Sequence, residues 1–200
     1  MNAKQLPSDL TVPLLYQQAK ENSPFAWFPT PPRLAEKMVK ISKIRPGTIA
    51  LEPTAGCGCL AEEMRAAGAT VDVIEISPIL QQILVQKNFN LIGTDFLKEQ
   101  PRRQYKVIIA NPPFSSPQEK GIDTTIIKRA YDLFLQPGGR LISIVSASMF
   151  IKNCPKSQSF RALLKKTEAK VIELPIDIFQ ESPRPVITET WLISIKKKRI

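Results

Sequence analysis

The chain contains no histidine, and only three of its 200 residues are cysteine. Without histidine the commonest general base is missing. An odd number of cysteines, two of them in Cys57-Gly58-Cys59, does not make a disulfide framework. No second cysteine pair exists to complete a zinc-type ligand set, so no metal is expected and the pair reads as loop packing. Long apolar runs are missing too: none reaches the roughly 18 residues that span a bilayer, and Met1 to Leu10 lacks the regions of a signal peptide. A cytoplasmic protein with no membrane association is the expectation. Sequence repeats are also absent.

What is present is the makeup of one soluble domain, with 43% hydrophobic and 23% charged residues, enough to bury a proper core. A formal charge of +10 and a pI near 9.7 point to a polyanionic partner, nucleic acid foremost. Residues 1–24 are polar and broken by Pro7, Pro13 and Pro24. They read as an N-terminal arm with at most a short helix around Leu14 to Lys20, and residues 25–200 as the folded domain.

Within that domain, strand-like and helix-like stretches alternate. Thr30 is placed to cap a helix with Pro31 in its first turn and Leu34, Ala35, Met38 and Ile41 on one face. Short apolar runs at 48–51, 71–74, 90–92, 107–110 and 141–145 predict strands, with helices over 60–67, from Ser77-Pro78 onward, over 126–134 and over 157–167. The tail adds strands at 170–174 and 186–195 around a Pro-rich segment, and ends in Lys196-Lys197-Lys198-Arg199. Lys156, Arg161, Lys165 and Lys166 either grip phosphates or keep a surface soluble.

Chemistry concentrates at strand ends. The β-branched run Val107 to Ala110 delivers Asn111-Pro112-Pro113-Phe114, a stiff turn in which neither proline has an N–H. The Asn111 side-chain oxygen and the Pro112 carbonyl can take both hydrogens of a planar exocyclic amine, and Phe114 offers a ring for a base to stack on. Glu52-Pro53-Thr54-Ala55-Gly56-Cys57-Gly58 is a glycine-containing turn between strand and helix, followed about 20 residues on by Glu75, an acid suited to ribose hydroxyls. Asp95-Phe96 pairs an acceptor with a ring at another strand end, and Ser115 to Gly121 has the composition of a mobile loop beside the base pocket. A nicotinamide dehydrogenase has a comparable glycine loop but no use for Asn-Pro-Pro-Phe.

Taken together, these motifs resemble the bacterial and phage adenine-specific DNA methyltransferases over residues 25–200. That resemblance implies an α/β fold of the class I methyltransferase type: a seven-stranded, mainly parallel sheet with helices on both faces. It implies S-adenosylmethionine as cofactor and DNA as the favoured partner, with RNA the alternative. Phe28-Pro29-Thr30-Pro31 is similar to the family's N-terminal cofactor motif, placing Phe28 and Thr30 near the methionine carboxylate. Glu52, Pro53, Ala55, Gly56 and Gly58 fall in the motif that cradles the methionine moiety. Glu75 and Ile76 fall where the family holds ribose, Asp95 and Phe96 where it holds the cofactor adenine, and Asn111, Pro112, Pro113 and Phe114 where it does the chemistry. Cys57 and Cys59 depart from the small or hydroxylated residues usual there, and Phe179 is followed by Glu181-Ser182-Pro183-Arg184 in place of Ser-Gly-Thr. No target-recognition domain remains, so specificity is low or comes from a separate subunit. Methyltransferases of RNA bases or protein glutamine share Asn-Pro-Pro-aromatic but not Phe-Pro-Thr-Pro. A non-catalytic subunit that binds S-adenosylmethionine or nucleic acid is the other alternative.

Overall fold

The computed structural model describes residues 11–22, 27–117 and 119–199. The first ten residues of the expected arm, Pro24 and Phe25 lie outside them. Seven strands form one sheet: β1 Ile49–Glu52, β2 Thr70–Ile74, β3 Asn90–Gly93, β4 Tyr105–Ala110, β5 Leu135–Ser146, β6 Lys170–Glu173 and β7 Thr190–Lys196. Their order is β3-β2-β1-β4-β5-β7-β6. Only β7 runs against its neighbours, pairing antiparallel with β5 and β6. The sheet is thus seven-stranded and mainly parallel, as the sequence led one to expect. The helices are α1 Val12–Asn22, α2 Pro32–Ser42, α3 Cys59–Ala66, α4 Pro78–Gln86, α5 Ile122–Arg129, α6 Ser148–Ile151 and α7 Pro155–Lys166.

Strand alternation builds two cores. Ala50, Val107, Ile109, Ile142 and Ile144 face α2 and α3, while Leu51, Ile108, Leu141 and Val145 face α5 and α7. Because both faces are covered, the central strands carry near-continuous apolar runs such as Val107 to Ala110 rather than a half-polar alternation. A third cluster joins Leu15 and Ala19 of α1 to Trp27, Cys57 and Ile79, Leu80 and Ile83 of α4. The segment expected to be an arm therefore adds an eleven-residue helix to the body of the domain.

Three local readings change. The apolar pattern expected to be a helix through Phe134 breaks at Arg129, and Ala130–Phe134 forms a π-helical turn. The next strand begins at Leu135 rather than Leu141, with a register shift: Tyr105 pairs with Leu135, but Val107 pairs with Arg140. Pro137 has no N–H for the ladder and Gly138 takes φ +74°, so this stretch bulges out of the pairing. Lys197 of the basic tail secures the π turn, donating to the carbonyls of Tyr131 and Leu135 at 2.8 Å and of Asp132 at 3.1 Å. It serves the fold rather than a phosphate. The Pro-rich connection also extends further than its composition suggested, because β7 starts only at Thr190.

Asp123, at the start of α5, is fully buried and accepts the Ser146 N–H at 3.0 Å, tying α5 to the end of β5. Burial raises its pKa from the ordinary 3.8 to about 6, against backbone hydrogen bonds that lower it. A folded-state pKa above the unfolded one gives stability that is complete below the unfolded value and is lost as pH rises through 6. Relative to Asp123→Asn, the wild type should therefore be more stable at pH 5 than at pH 7.5, by roughly 1 kcal/mol. Urea titrations at the two pH values test this; an identical difference at both would contradict it.

Candidate active site

The strand order reverses between β1 and β4. Loops leaving the carboxyl ends of strands diverge at such a point and leave a crevice. A cavity of about 580 Å³ lies there, inside the roughly 300–1,000 Å³ range of small-ligand sites. The loops after β1, β2, β3 and β4 line it.

After β1, Gly56 takes φ +56°, and its N–H donates to Glu75 Oε2 at 2.7 Å. Glu75 Oε1 accepts the Ser77 N–H at 2.8 Å, so both carboxylate oxygens are fixed from behind while the residue lines the cavity. Burial raises the Glu75 pKa, and these backbone bonds oppose it. Glu52 is fully buried, with its acid pushed well above the usual range by burial. Its Oε2 and the Trp27 Nε1 have no hydrogen-bond partner, and both residues line the same cavity. Buried polar atoms are seldom left unpaired, so this pair marks where a polar ligand would complete the wall. Pro53, Ala55, Ile76, Asp95 and Phe96 line it too. Asp95 accepts the Leu97 N–H at 3.0 Å and pairs with Lys98, and the Phe96 ring packs 4.7 Å from Phe134.

Gly58 is not part of this wall. It adopts φ +87° ahead of α3, and a Cβ there would meet Leu84 and Phe89 at 3.0 and 3.1 Å. The expected approach to a cofactor is replaced by close packing against α4 and its following loop. Ser77 likewise occupies the cap position of α4 without a side-chain capping bond.

At the end of β4, the Asn111 amide donates to the Phe28 carbonyl at 3.0 Å and to Thr30 Oγ1 at 3.1 Å. Thr30 does not cap α2, whose cap position is Pro31; its hydroxyl is used to orient Asn111 instead. With both amide hydrogens engaged, the Asn111 side chain can bind a ligand only by accepting through Oδ1. A second cavity of about 140 Å³ adjoins, lined by Phe28, Pro112, Phe114, Phe179, Val186 and Thr188 among others. Phe28, Asn111, Pro113 and Ser115 border both cavities, so the Asn111 turn is the junction between them. The altered late segment packs on the Phe28-Pro29 entry: Ser182 Oγ donates to the Pro29 carbonyl at 2.8 Å, and the Arg184 guanidinium lies 5.4 Å from the Phe28 ring centre. The loop after Phe114 is anchored rather than free, through a Ser115–Lys120 bridge and a Lys156–Glu119 ion pair.

Trp27, Leu80, Leu97, Ile122 and Ile126 also line the larger cavity and were not among the expected site residues. Trp27 had a signal in its neighbourhood, the aromatic cluster before Pro29; the aliphatic residues had none, because helical spacing marks them only as core. The Gly56 position gives a direct test. A Cβ there would lie 2.9 Å from Trp27 Nε1, on a backbone conformation that L-residues adopt at a cost of about 1 kcal/mol. Gly56→Ala should weaken S-adenosylhomocysteine binding roughly tenfold in calorimetry. Unchanged affinity would remove this loop from the binding site.

Seven strands in this order, with one reversed strand and a ligand cavity over the switch point, define the class I, S-adenosylmethionine-dependent methyltransferase fold. Residues 50–172 match the methyltransferase small domain family, and the chain belongs to that family. Among curated proteins it is similar to the ribosomal RNA small subunit methyltransferase A of Thermotoga neapolitana, 32% identical over 84% of this chain and 65% of that protein. The chain thus spans somewhat under two thirds of that relative's length. Among solved structures it superposes on the type IIG restriction endonuclease BpuSI with a TM-score of 0.71 at 16% identity, covering 97% of this chain and 28% of that one. The type I restriction enzyme EcoKI M protein gives 0.66 at 14% identity, over 90% of this chain and 45% of that one. No described helix is long and apolar enough to cross a membrane.

Proposed function

We propose that the protein transfers a methyl group from S-adenosylmethionine to the exocyclic amine of adenine in DNA. The observation that supports this most is the pinned Asn111 side chain at the junction of a cofactor-sized and a base-sized cavity. The larger cavity suits the cofactor: Glu75 for ribose hydroxyls, Asp95 and Phe96 for the adenine ring, and Glu52, Trp27 and the Gly56 loop for the polar methionine end. When bound, the cofactor supplies an electrophilic methyl group on a sulfonium.

The amine of adenine is a weak nucleophile because its lone pair is conjugated with the ring. Asn111 Oδ1 and the Pro112 carbonyl accept its two hydrogens and hold the nitrogen at the junction of the cavities. As the nitrogen gains positive charge, the same acceptors stabilise it more strongly, and the proton leaves to water afterwards. No histidine is required. Phe114 and Phe28 offer rings to a base turned out of its stack, at a cost of a few kcal/mol in duplex and less in single strands.

Residues 25–200 are taken as one methyltransferase domain. The +10 charge supplies affinity for phosphates, and binding to DNA should fall with salt at about −0.9 in log–log slope per phosphate contact. A flat dependence would exclude an electrostatic basis. A second reading, methylation of adenine in RNA, is favoured by the name of the Thermotoga relative. Incubation with tritiated S-adenosylmethionine and separate DNA, RNA and protein pools distinguishes them. Label in DNA supports the proposal, label in RNA alone supports the second reading, and label only in protein overturns both.

A further inference from the structure

Cys57 in the loop after β1 and Cys59 at the start of α3 flank Gly58, and both line the larger cavity. Their sulfurs lie 3.3 Å apart, and the Tyr16 hydroxyl of α1 lies 3.9 Å from Cys59 Sγ. Cys57 is buried and Cys59 partly exposed. Lys87 Nζ donates to the Cys57 carbonyl at 3.0 Å and pairs with Glu62, bringing a cation to the same loop. From these contacts we infer that Cys57 and Cys59 form an oxidisable dithiol, whose conversion to a disulfide by a peroxide reshapes the cavity wall and lowers cofactor affinity.

The thiol environment suits the step. The hydrogen bond with Cys59 holds the Cys57 thiol below its ordinary pKa against burial, with Tyr16 and Lys87 adding to the effect, while the same bond and burial push Cys59 up. A thiol made more acidic beside one made less acidic suits a peroxide-sensitive pair. The Cys57 thiolate attacks one peroxide oxygen, the O–O bond breaks, and hydroxide leaves to take up a proton. Cys59 sulfur then displaces hydroxide from the sulfenic Cys57 and loses its own proton, forming the S–S bond and releasing water. Two sulfurs are oxidised by two electrons in total, and one hydrogen peroxide is reduced to two waters.

The bond draws the sulfurs from 3.3 Å to about 2.0 Å. Gly58 between them has little slack, since even a methyl group there would press on Leu84 and Phe89. Movement must therefore pass outward into the loop, toward Gly56 and the cavity. Only this consequence for the cofactor rests on the proposed function; the dithiol chemistry does not.

The test uses Cys154→Ser protein, which removes the one cysteine outside the pair, compared with Cys59→Ser/Cys154→Ser. After hydrogen peroxide, intact mass should fall by about 2 Da in the first protein, return with dithiothreitol, and show no such loss in the second. S-adenosylhomocysteine affinity of the oxidised protein should be at least ~10-fold weaker than that of the reduced protein and recover on reduction. Added oxygen without the 2 Da loss, or a disulfide that leaves affinity unchanged, overturns the inference. Should the reduced protein bind no S-adenosylhomocysteine, the proposed function fails, and the mass change alone still decides the dithiol.

Discussion

Asn111→Ala should lower methyl transfer at least ~100-fold while changing S-adenosylhomocysteine affinity by less than about threefold, the pattern of an interaction made mainly in the transition state. The Asn111 amide is held by Phe28 and Thr30, so its oxygen is aimed before substrate arrives. Removing it takes away an acceptor whose worth grows as the amine nitrogen becomes cationic. Ground-state binding of cofactor loses little, because the Glu75, Asp95 and Glu52 side of the cavity is untouched. Thr30→Val should show a milder version, since one of the two bonds orienting the amide is lost and the Phe28 carbonyl still holds it. Single-turnover rates with calorimetry alongside separate the two quantities. A variant that keeps its rate removes Asn111 from the chemistry, and one that loses cofactor binding instead makes the turn a binding element.

The second large effect concerns stability. Asp72 of β2 is almost fully buried and gathers three partners. Arg103 Nη2 donates to it at 2.6 Å, the Tyr105 hydroxyl at 2.8 Å and Asn90 Nδ2 at 2.7 Å. One carboxylate thereby joins β2, β3 and the start of β4. Asp72→Ala leaves the buried Tyr105 hydroxyl without its acceptor, while the exposed Asn90 amide turns to water, and should cost about 2–3 kcal/mol. Arg103 is partly exposed and recovers some hydration, which keeps the loss from being larger. Asp72→Asn keeps acceptor capacity and should cost roughly half as much. Denaturant unfolding of the three proteins gives the comparison, and a loss under about 1 kcal/mol for the alanine variant would show the network to be dispensable.

Most of the sheet was legible because its strands hold short apolar runs beside glycine, proline or an acid, and the longer helices repeat their apolar residues at helical spacing; the four-residue α6 has too few residues to show such a repeat. The positions of Glu75, Asp95 and Asn111 followed, since Glu75 and Asn111 come directly after a strand and Asp95 two residues after one. What stayed hidden depends on contacts between distant residues. Thr30 has the local signature of a helix cap, and only the fold reveals that Asn111, 81 residues away, takes its hydroxyl. Gly58 looks like a ligand-approach glycine, yet Leu84 and Phe89 lie over it. The Asp72 cluster was invisible for the same reason, its partners lying 18 to 33 residues on. The short helix expected around Leu14 to Lys20 is there as α1, but its docking on the domain was hidden, because only Leu15 and Ala19 are fully buried, too few to give a strong periodic signal.

The most direct measurement is the identity of the methylated base. After reaction with S-adenosylmethionine, the DNA is digested to nucleosides and resolved by mass spectrometry. The account predicts methyl groups on the exocyclic nitrogen of deoxyadenosine, at least ~100-fold fewer when Asn111→Ala protein is used. Methyl groups on cytosine carbon or on a ring nitrogen of any base, or equal adenine methylation by the variant, would contradict it.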